Sequence, residues 1–247
     1  AGVPSGRVGA LLTSATDPHV SSVTMAKTSS GRYFEDFRIG DVIRHAVPRT
    51  VTDGDVALYT ALYGPRFAVQ SSDAFARAIG YPRAPIDDLL LFHIVFGKTV
   101  PDISLNAVAN LGYAEARFLA AVYPGDTLTA TSEVIGLKEN SSRRTGAVYV
   151  RSAGWRQDGT KVLEYVRWVM VNKRDEAARP TGELVPELAP SLDPALLGDG
   201  CPPLDMVGWD FGLSGAPYRF DDFEIGEKID HVDGMTVQEA EHQLATR

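Results

Sequence analysis

The stretch from Pro85 to Val100, PIDDLLLFHIVFGKTV, constrains the fold of this chain more than any other. Leu89, Leu90, Leu91, Phe92, Ile94, Val95 and Phe96 leave only His93 polar in its middle, so a helix here is apolar on nearly every face and must be wrapped. At about 1.5 Å per residue it is too short to span a bilayer, and Asp87, Asp88 and Lys98 fence its ends. Pro85 suits the first turn, the paired aspartates suit the positive end of the helix dipole, and Pro101 follows where the helix should stop.

Four segments downstream have strand composition: Ala107 to Val122, Thr127 to Leu137, Gly146 to Arg156 and Lys161 to Lys173. Pro124-Gly125-Asp126, Glu139-Asn140-Ser141 and Gln157-Asp158-Gly159 separate them with turn residues, which predicts an antiparallel meander in which each strand pairs with the next. In the last segment Val162, Tyr165, Arg167, Val169 and Val171 show the partial alternation of a sheet with one face on the core. A long buried helix clasped by one strongly curved antiparallel sheet is the hot-dog arrangement, an α+β fold. Phe92 is expected at its centre, with truncation to alanine costing about 3 to 5 kcal/mol if fully buried.

Against 32 acidic residues stand 24 Lys and Arg, a net charge of −8 without any basic cluster, which argues against nucleic acid as a partner. Cys201 is the only cysteine, so neither an intrachain disulfide nor a multi-cysteine metal site is available, and a reducing cytoplasm is the expected setting. Residues 1–30 are small and polar, without the basic start and apolar run of a signal peptide; they read as a flexible leader containing His19, with Met25 as a native start.

From Phe34 the sequence reads FEDFRIGDVIRHAVPRTVTDGDVALYTA, and from Phe220 it reads FDDFEIGEKIDHVDGMTVQEAEHQLATR. Laid out without a gap, the two share Phe, Asp, Phe, Ile, Gly, Ile, His, Thr, Val, Leu and Thr, which marks an internal repeat. Each copy predicts an aromatic-acidic lead-in, a turn at Ile-Gly, a short strand and a capped helix, with Thr52 or Asp53 as the cap in the first. The expected organisation is a leader over 1–30, a first unit over 31–174, a connector over 175–216 and the start of a second, incomplete unit over 217–247. Trp209 and Phe211 predict that the connector packs on something, and Asp205 with Asp210 reads as a solvated face rather than a metal site.

The loop YTALYGPRFAVQSSDAFARAIGYPRAPIDD follows the F-x-D-F-x-I-G lead-in and precedes a buried helix carrying Phe96-Gly97. This arrangement resembles the MaoC-like, or hydratase-2, family of hot-dog acyl-CoA hydratases, whose corresponding loop reads G-D-x-N-P-x-H and whose buried helix carries a His-Gly pair. RTVTDGDVALYTALYG, DDLLLFHIVFGKTVPDISLNAVANLGY and PGDTLTATSEVIGLKEN look like the branch of that family acting on 2-methylfumaryl-CoA (mesaconyl-CoA). The likeness covers almost everything from Tyr33 onward. It implies reversible hydration of that thioester to a 3-methylmalyl-CoA, with no metal or redox cofactor and with coenzyme A as part of the substrate. It also implies backbone N–H groups at a helix start polarising the thioester oxygen, and pairing of hot-dog units by sheet extension, either with the second unit or with another chain as a homo-oligomer.

Against that pattern Gly64 matches the motif glycine, but Pro65 stands at the aspartate, Phe67 at the asparagine and Gln70 at the histidine. Proline and glutamine do not exchange protons, so no acid-base pair remains, and the first unit reads as the non-catalytic half of a double hot dog. Substrate-binding candidates are Arg66, Gln70 and His93; Arg66, Arg77 and Arg83 crowd the motif loop, where an arginine would clamp a free carboxylate, although solvation alone accounts for each. His93 reads as a hydrogen-bonded core histidine ahead of a catalytic one. His45, repeated as His231, is expected to pack or to lie at the surface. Ser71-Ser72-Asp73 looks like a helix cap. Two rival readings stand: a hot-dog thioesterase using Asp87 or Asp88, and a non-catalytic acyl-CoA-binding domain.

Overall fold

The computed structural model describes residues 29–232 and 234–246, and from Gly31 onward these belong to one unit. The expected leader therefore lies, apart from Ser29 and Ser30, outside the described residues, as does His19. The first strand, β1, spans Val42–Thr50, and α1 follows at Asp53–Tyr63. Thr52 is the cap of α1: its hydroxyl accepts from the Asp55 N–H at 3.1 Å while the Asp55 carboxylate accepts from the Thr52 N–H at 2.8 Å. Gly64 ends the helix at φ 59°, a left-handed conformation in which a Cβ is strained. Two short helices come next, α2 at Ala68–Ser71 and α3 at Asp73–Ala78, the latter capped by the Ser72 hydroxyl.

The apolar stretch forms α4, Asp88–Thr99, capped by the Asp87 carboxylate, which accepts from the Leu89 N–H at 2.8 Å. Pro85 lies before this cap rather than in the first turn, because the backbone there is tied elsewhere, with the Ile86 N–H donating to the Val122 carbonyl. Nor does Pro101 stop the coil at once. The chain continues as a wider π-helical turn over Val100–Ser104, which accommodates the missing proline N–H and the clash of its ring with a carbonyl one turn back.

Strands β2 (Ala107–Phe118), β3 (Thr127–Glu139), β4 (Thr145–Arg156) and β5 (Lys161–Asn172) complete one antiparallel sheet ordered β1-β3-β4-β5-β2. The expected meander holds for β3, β4 and β5, but β2 pairs with β5 at the far edge instead of with β3. Its exit explains why. Residues 119–126 cross the end of the sheet, with Leu119 bonded to Val162, Val122 to Ile86, and both Gly125 and Asp126 to Val51, so their backbone groups are spent on other partners than a hairpin. In the connector, α5 spans Phe211–Ser214, and α6 spans Glu239–Ala245 in the second repeat copy.

The core falls into two apolar clusters. Leu90, Leu91, Ile94 and Val95 of α4 pack on Leu128, Ala130, Leu163 and Tyr165, while Phe34, Phe37, Ile43 and Ile103 pack on Val134, Val148, Val150 and Val169. The helix approaches β4 closely at Gly154, where a Cβ would come within 2.6 Å of Val95. Wrapping is one-sided, however: Leu89, His93 and Gly97 are exposed along one stripe of α4. Phe92 is half-buried against Tyr165 and Phe96, so its truncation should cost less than the value for full burial.

Candidate functional site

Gly64 and the residues after it turn the chain from α1 into α2, and this carries Phe67 and Gln70 to a pocket of about 470 Å³. Asp88 at the start of α4 lines the same pocket, and Leu197, Cys201 and Trp209 of the connector form its roof. Trp209 is seated there edge-on to Phe75, with ring centroids 5.0 Å apart, which supplies the packing expected of the connector. Asp88 remains open to solvent at the pocket's edge; partial burial of its carboxyl, and then the neighbouring Asp87, push it above the usual carboxylate range. No histidine lines this pocket, so Gln70 and Asp88 border it without an imidazole to complete an acid-base pair.

The helix start is likewise occupied. The Leu89 N–H, placed where the resemblance expects a donor to the thioester oxygen, donates to Asp87, and Asp87 also accepts from the Tyr59 hydroxyl at 3.3 Å. Burial and the Asp87 charge push the Tyr59 hydroxyl up to about 12. Arg66 is exposed on the loop between α1 and α2 and does not line the pocket. Arg77 and Arg83 are engaged by Asp73 and Asp53.

His93 is not the core histidine expected. It is exposed on the open stripe of α4, because the sheet covers only the opposite side of that helix. There it faces Tyr59 and Tyr63, with ring centroids 6.2 and 5.8 Å away, in a groove of about 410 Å³ bordered by α1, α4 and Leu244 of α6. Gln70 and Asp88 thus line one pocket, His93 borders the other, and Arg66 lines neither. Asp205 and Asp210 each accept a backbone N–H at a helix start. Among the described residues no group of three or more His, Cys, Asp or Glu could hold a metal ion, and no helix is long and apolar enough to cross a membrane.

A polar layer that sequence reasoning missed separates the two apolar clusters. His45 is buried, with Nδ1 2.8 Å from Asp102 and Nε2 2.8 Å from the Ser132 hydroxyl, which lies 2.7 Å from that of Ser152. An ionised Asp102 only accepts, so neutral His45 donates from Nδ1 and accepts from Ser132 through Nε2. Arg167, fully buried, continues the layer on β5. These residues are scattered through the sequence, and the one visible signal was Arg167 at an inward position of an apolar alternation.

Burial pushes His45 below the usual histidine value; the hydrogen bond and charge of Asp102 oppose this, and the Arg167 and Arg32 charges reinforce it. The unfolded chain therefore takes up a proton that the folded one refuses. Stability is fully present above the ordinary histidine value, about 6.5, and falls as pH drops from there towards the lowered value, by at most about 1.4 kcal/mol per pH unit. Denaturant titrations at pH 7.5 and pH 5.5 should show this loss in the natural protein and a smaller one in His45→Gln. Equal losses would assign the acid sensitivity elsewhere.

Comparison with known proteins places the chain. The family profile described as mesaconyl-CoA hydratase matches residues 15–194. A mesaconyl-CoA hydratase from Cereibacter sphaeroides is 60% identical over 90% of this chain and 64% of its own length. A beta-methylmalyl-CoA dehydratase from Chloroflexus aurantiacus is 58% identical over 90% of this chain and 63% of its own. The chain thus spans under two thirds of the length of these curated relatives. A crystal structure of a MaoC domain dehydratase from Chloroflexus aurantiacus superposes with a TM-score of 0.85 at 58% identity, covering 90% of this chain and 63% of that one. A double hot-dog protein of Mycobacterium tuberculosis shares the fold, with a TM-score of 0.56 at 24% identity over 74% of this chain and 56% of its own.

Proposed function

This chain belongs to the mesaconyl-CoA hydratase family, and from that premise we propose that the whole protein is a hydro-lyase acting on 2-methylfumaryl-CoA. Water adds reversibly across the double bond, its oxygen to the β-carbon and a proton to the α-carbon, giving a 3-methylmalyl-CoA. The observation that carries this reading is identity of 60% to a mesaconyl-CoA hydratase along nine tenths of the chain.

The described unit contributes binding rather than chemistry in this proposal. Gln70 and Asp88 line a pocket without an imidazole, and the Leu89 N–H is already spent on Asp87. The acid-base pair is assigned to a second hot-dog unit beginning in residues 217–247, after the connector over 175–216, with residues 31–174 as the first unit. Arg66, Gln70 and His93 remain candidates for contact with the acyl-CoA. The single cysteine fits a cytoplasmic setting, and the unpaired outer edges of β1 and β2 fit assembly into an oligomer.

Asp88 favours one second reading. A carboxyl with a raised pKa at the edge of a pocket and at a helix start is what a hot-dog thioesterase would use. Product analysis of the full-length protein with 2-methylfumaryl-CoA separates the two, since a hydratase yields an intact hydroxyacyl thioester and a thioesterase yields free coenzyme A. Release of coenzyme A without the hydrated thioester would replace the hydratase reading.

A further inference from the structure

Arg167 carries a charge that no acid answers. Its guanidinium donates to the side-chain oxygens of Thr99 at 2.9 Å, Ser104 at 3.3 Å and Asn110 at 3.3 Å, all of them neutral. The residue is fully buried and forms no ion pair among the described residues, and its Nε has no hydrogen-bond partner. The hydroxyl of Tyr165, also fully buried, makes no well-aligned hydrogen bond, with the Ser152 and Thr99 hydroxyls as its nearest polar neighbours. These are both donors, on inward positions of the same strand two residues apart, and burying a cation without a counter-charge is costly. Such a pair has the chemistry of a site awaiting an acceptor.

What covers the pair is aromatic. The Phe96 ring centroid lies 4.5 Å from the Arg167 guanidinium carbon and that of Phe92 lies 5.1 Å from the Tyr165 ring, while the two phenylalanines stack on each other at 5.6 Å. Tyr113, exposed on the edge strand β2, leans edge-on against Phe92. Phe96 also borders the groove that holds His93. One layer of rings, on the open side of α4, therefore stands between the unsatisfied donors and solvent. Flat aromatic walls ending in a guanidinium and a phenol suit a short, planar, unsaturated chain that ends in a carboxylate.

We propose that Arg167 and Tyr165 form a carboxylate-binding site beneath the Phe92, Phe96 and Tyr113 rings. It takes the free carboxylate of a dicarboxylic acyl thioester once the Phe96 ring swings aside. The inference rests on the function proposed above, and it moves the carboxylate clamp from the exposed Arg66 to Arg167. The carboxylate adds the charge-assisted hydrogen bonds that Thr99, Ser104 and Asn110, being neutral, do not supply.

A site-resolved test does not depend on catalysis. The Nε–H of a buried arginine exchanges slowly, so its proton-nitrogen resonance, assigned by comparison with Arg167→Lys, can be followed while free 2-methylfumarate is titrated, with crotonamide as the neutral control. A saturable downfield shift with the diacid and none with the amide is the expected result. The second arm uses the full-length enzyme. Arg167→Lys and Tyr165→Phe, each checked for folding by circular dichroism and thermal melting, should lose about 10- to 100-fold in kcat/KM for 2-methylfumaryl-CoA while crotonyl-CoA turnover changes less than about threefold. Equal loss on both substrates, or a resonance unmoved by the diacid, overturns the site. A carboxylate supplied by the protein itself would show as a shifted Nε–H in the full-length enzyme that the diacid does not change, and this too overturns it. Failure of the wild-type enzyme to hydrate either thioester would instead defeat the functional reading.

Discussion

The 247-residue polypeptide is expected to leave 2-methylfumaryl-CoA unhydrated, whereas the protein extended to the length of its curated relatives should consume it. Two local features produce this expectation. The pocket beside the degenerate motif holds Gln70 and Asp88 with no imidazole, and the amide at the start of α4 is already bonded to Asp87. General acid-base groups contribute about 10² to 10⁴ in rate, so their absence alone should lower turnover by that factor. Loss of enoyl-thioester absorbance measures it directly. Substantial turnover by the shorter chain would mean that Asp88 or His93 is performing proton transfer, and the first unit could no longer be called non-catalytic.

Replacing Phe34 by alanine should cost about 3 to 5 kcal/mol, while the same change at Phe220 should cost under about 0.5 kcal/mol in this chain. The two phenylalanines open the two repeat copies and share their sequence surroundings. Phe34 is 0% exposed and its ring lies where a Cβ on Gly146 would come within 2.3 Å of it, so its removal leaves a cavity that β4 cannot fill. Phe220 is 91% exposed and has almost nothing to lose. Denaturant midpoints of the two variants compare the positions directly. Similar costs would mean that the second copy is packed in a way its exposure does not indicate.

Much of the fold was legible in the sequence. The apolar run gave α4, the turn residues delimited β3, β4 and β5, and Thr52 and Ser72 marked the starts of α1 and α3. Edge pairing was not legible, because β2 has the same strand composition whichever neighbour it takes, and its partner was chosen by how residues 119–126 are anchored to Val51, Ile86 and Val162. The site divided in the same way. Gly64 through Gln70 announced a motif without proton-transfer groups, but that Asp88 lines the same pocket as Gln70 is decided only by the tertiary structure. His93 illustrates the opposite error: its apolar neighbours implied burial, yet a sheet that covers one side of a helix leaves the other side open.

The repeat separates the two kinds of information most cleanly. Local sequence alone determined the turns, for Phe34–Asp36 and Phe220–Asp222 are both 3-10 turns and Gly40 and Gly226 adopt φ of 89° and 87°. It also determined that a helix begins at Asp53 and again at Glu239. Strand formation was decided by tertiary structure. Val42–Thr50 is a strand because β3 accepts and donates its backbone hydrogen bonds, whereas the matching residues of the second copy form no strand among those described, with Ile229 55% exposed where Ile43 is 7%. Turns and helices close their hydrogen bonds within a few residues; a strand and the buried polar layer of His45, Ser132 and Arg167 exist only when distant segments supply the other half of each bond.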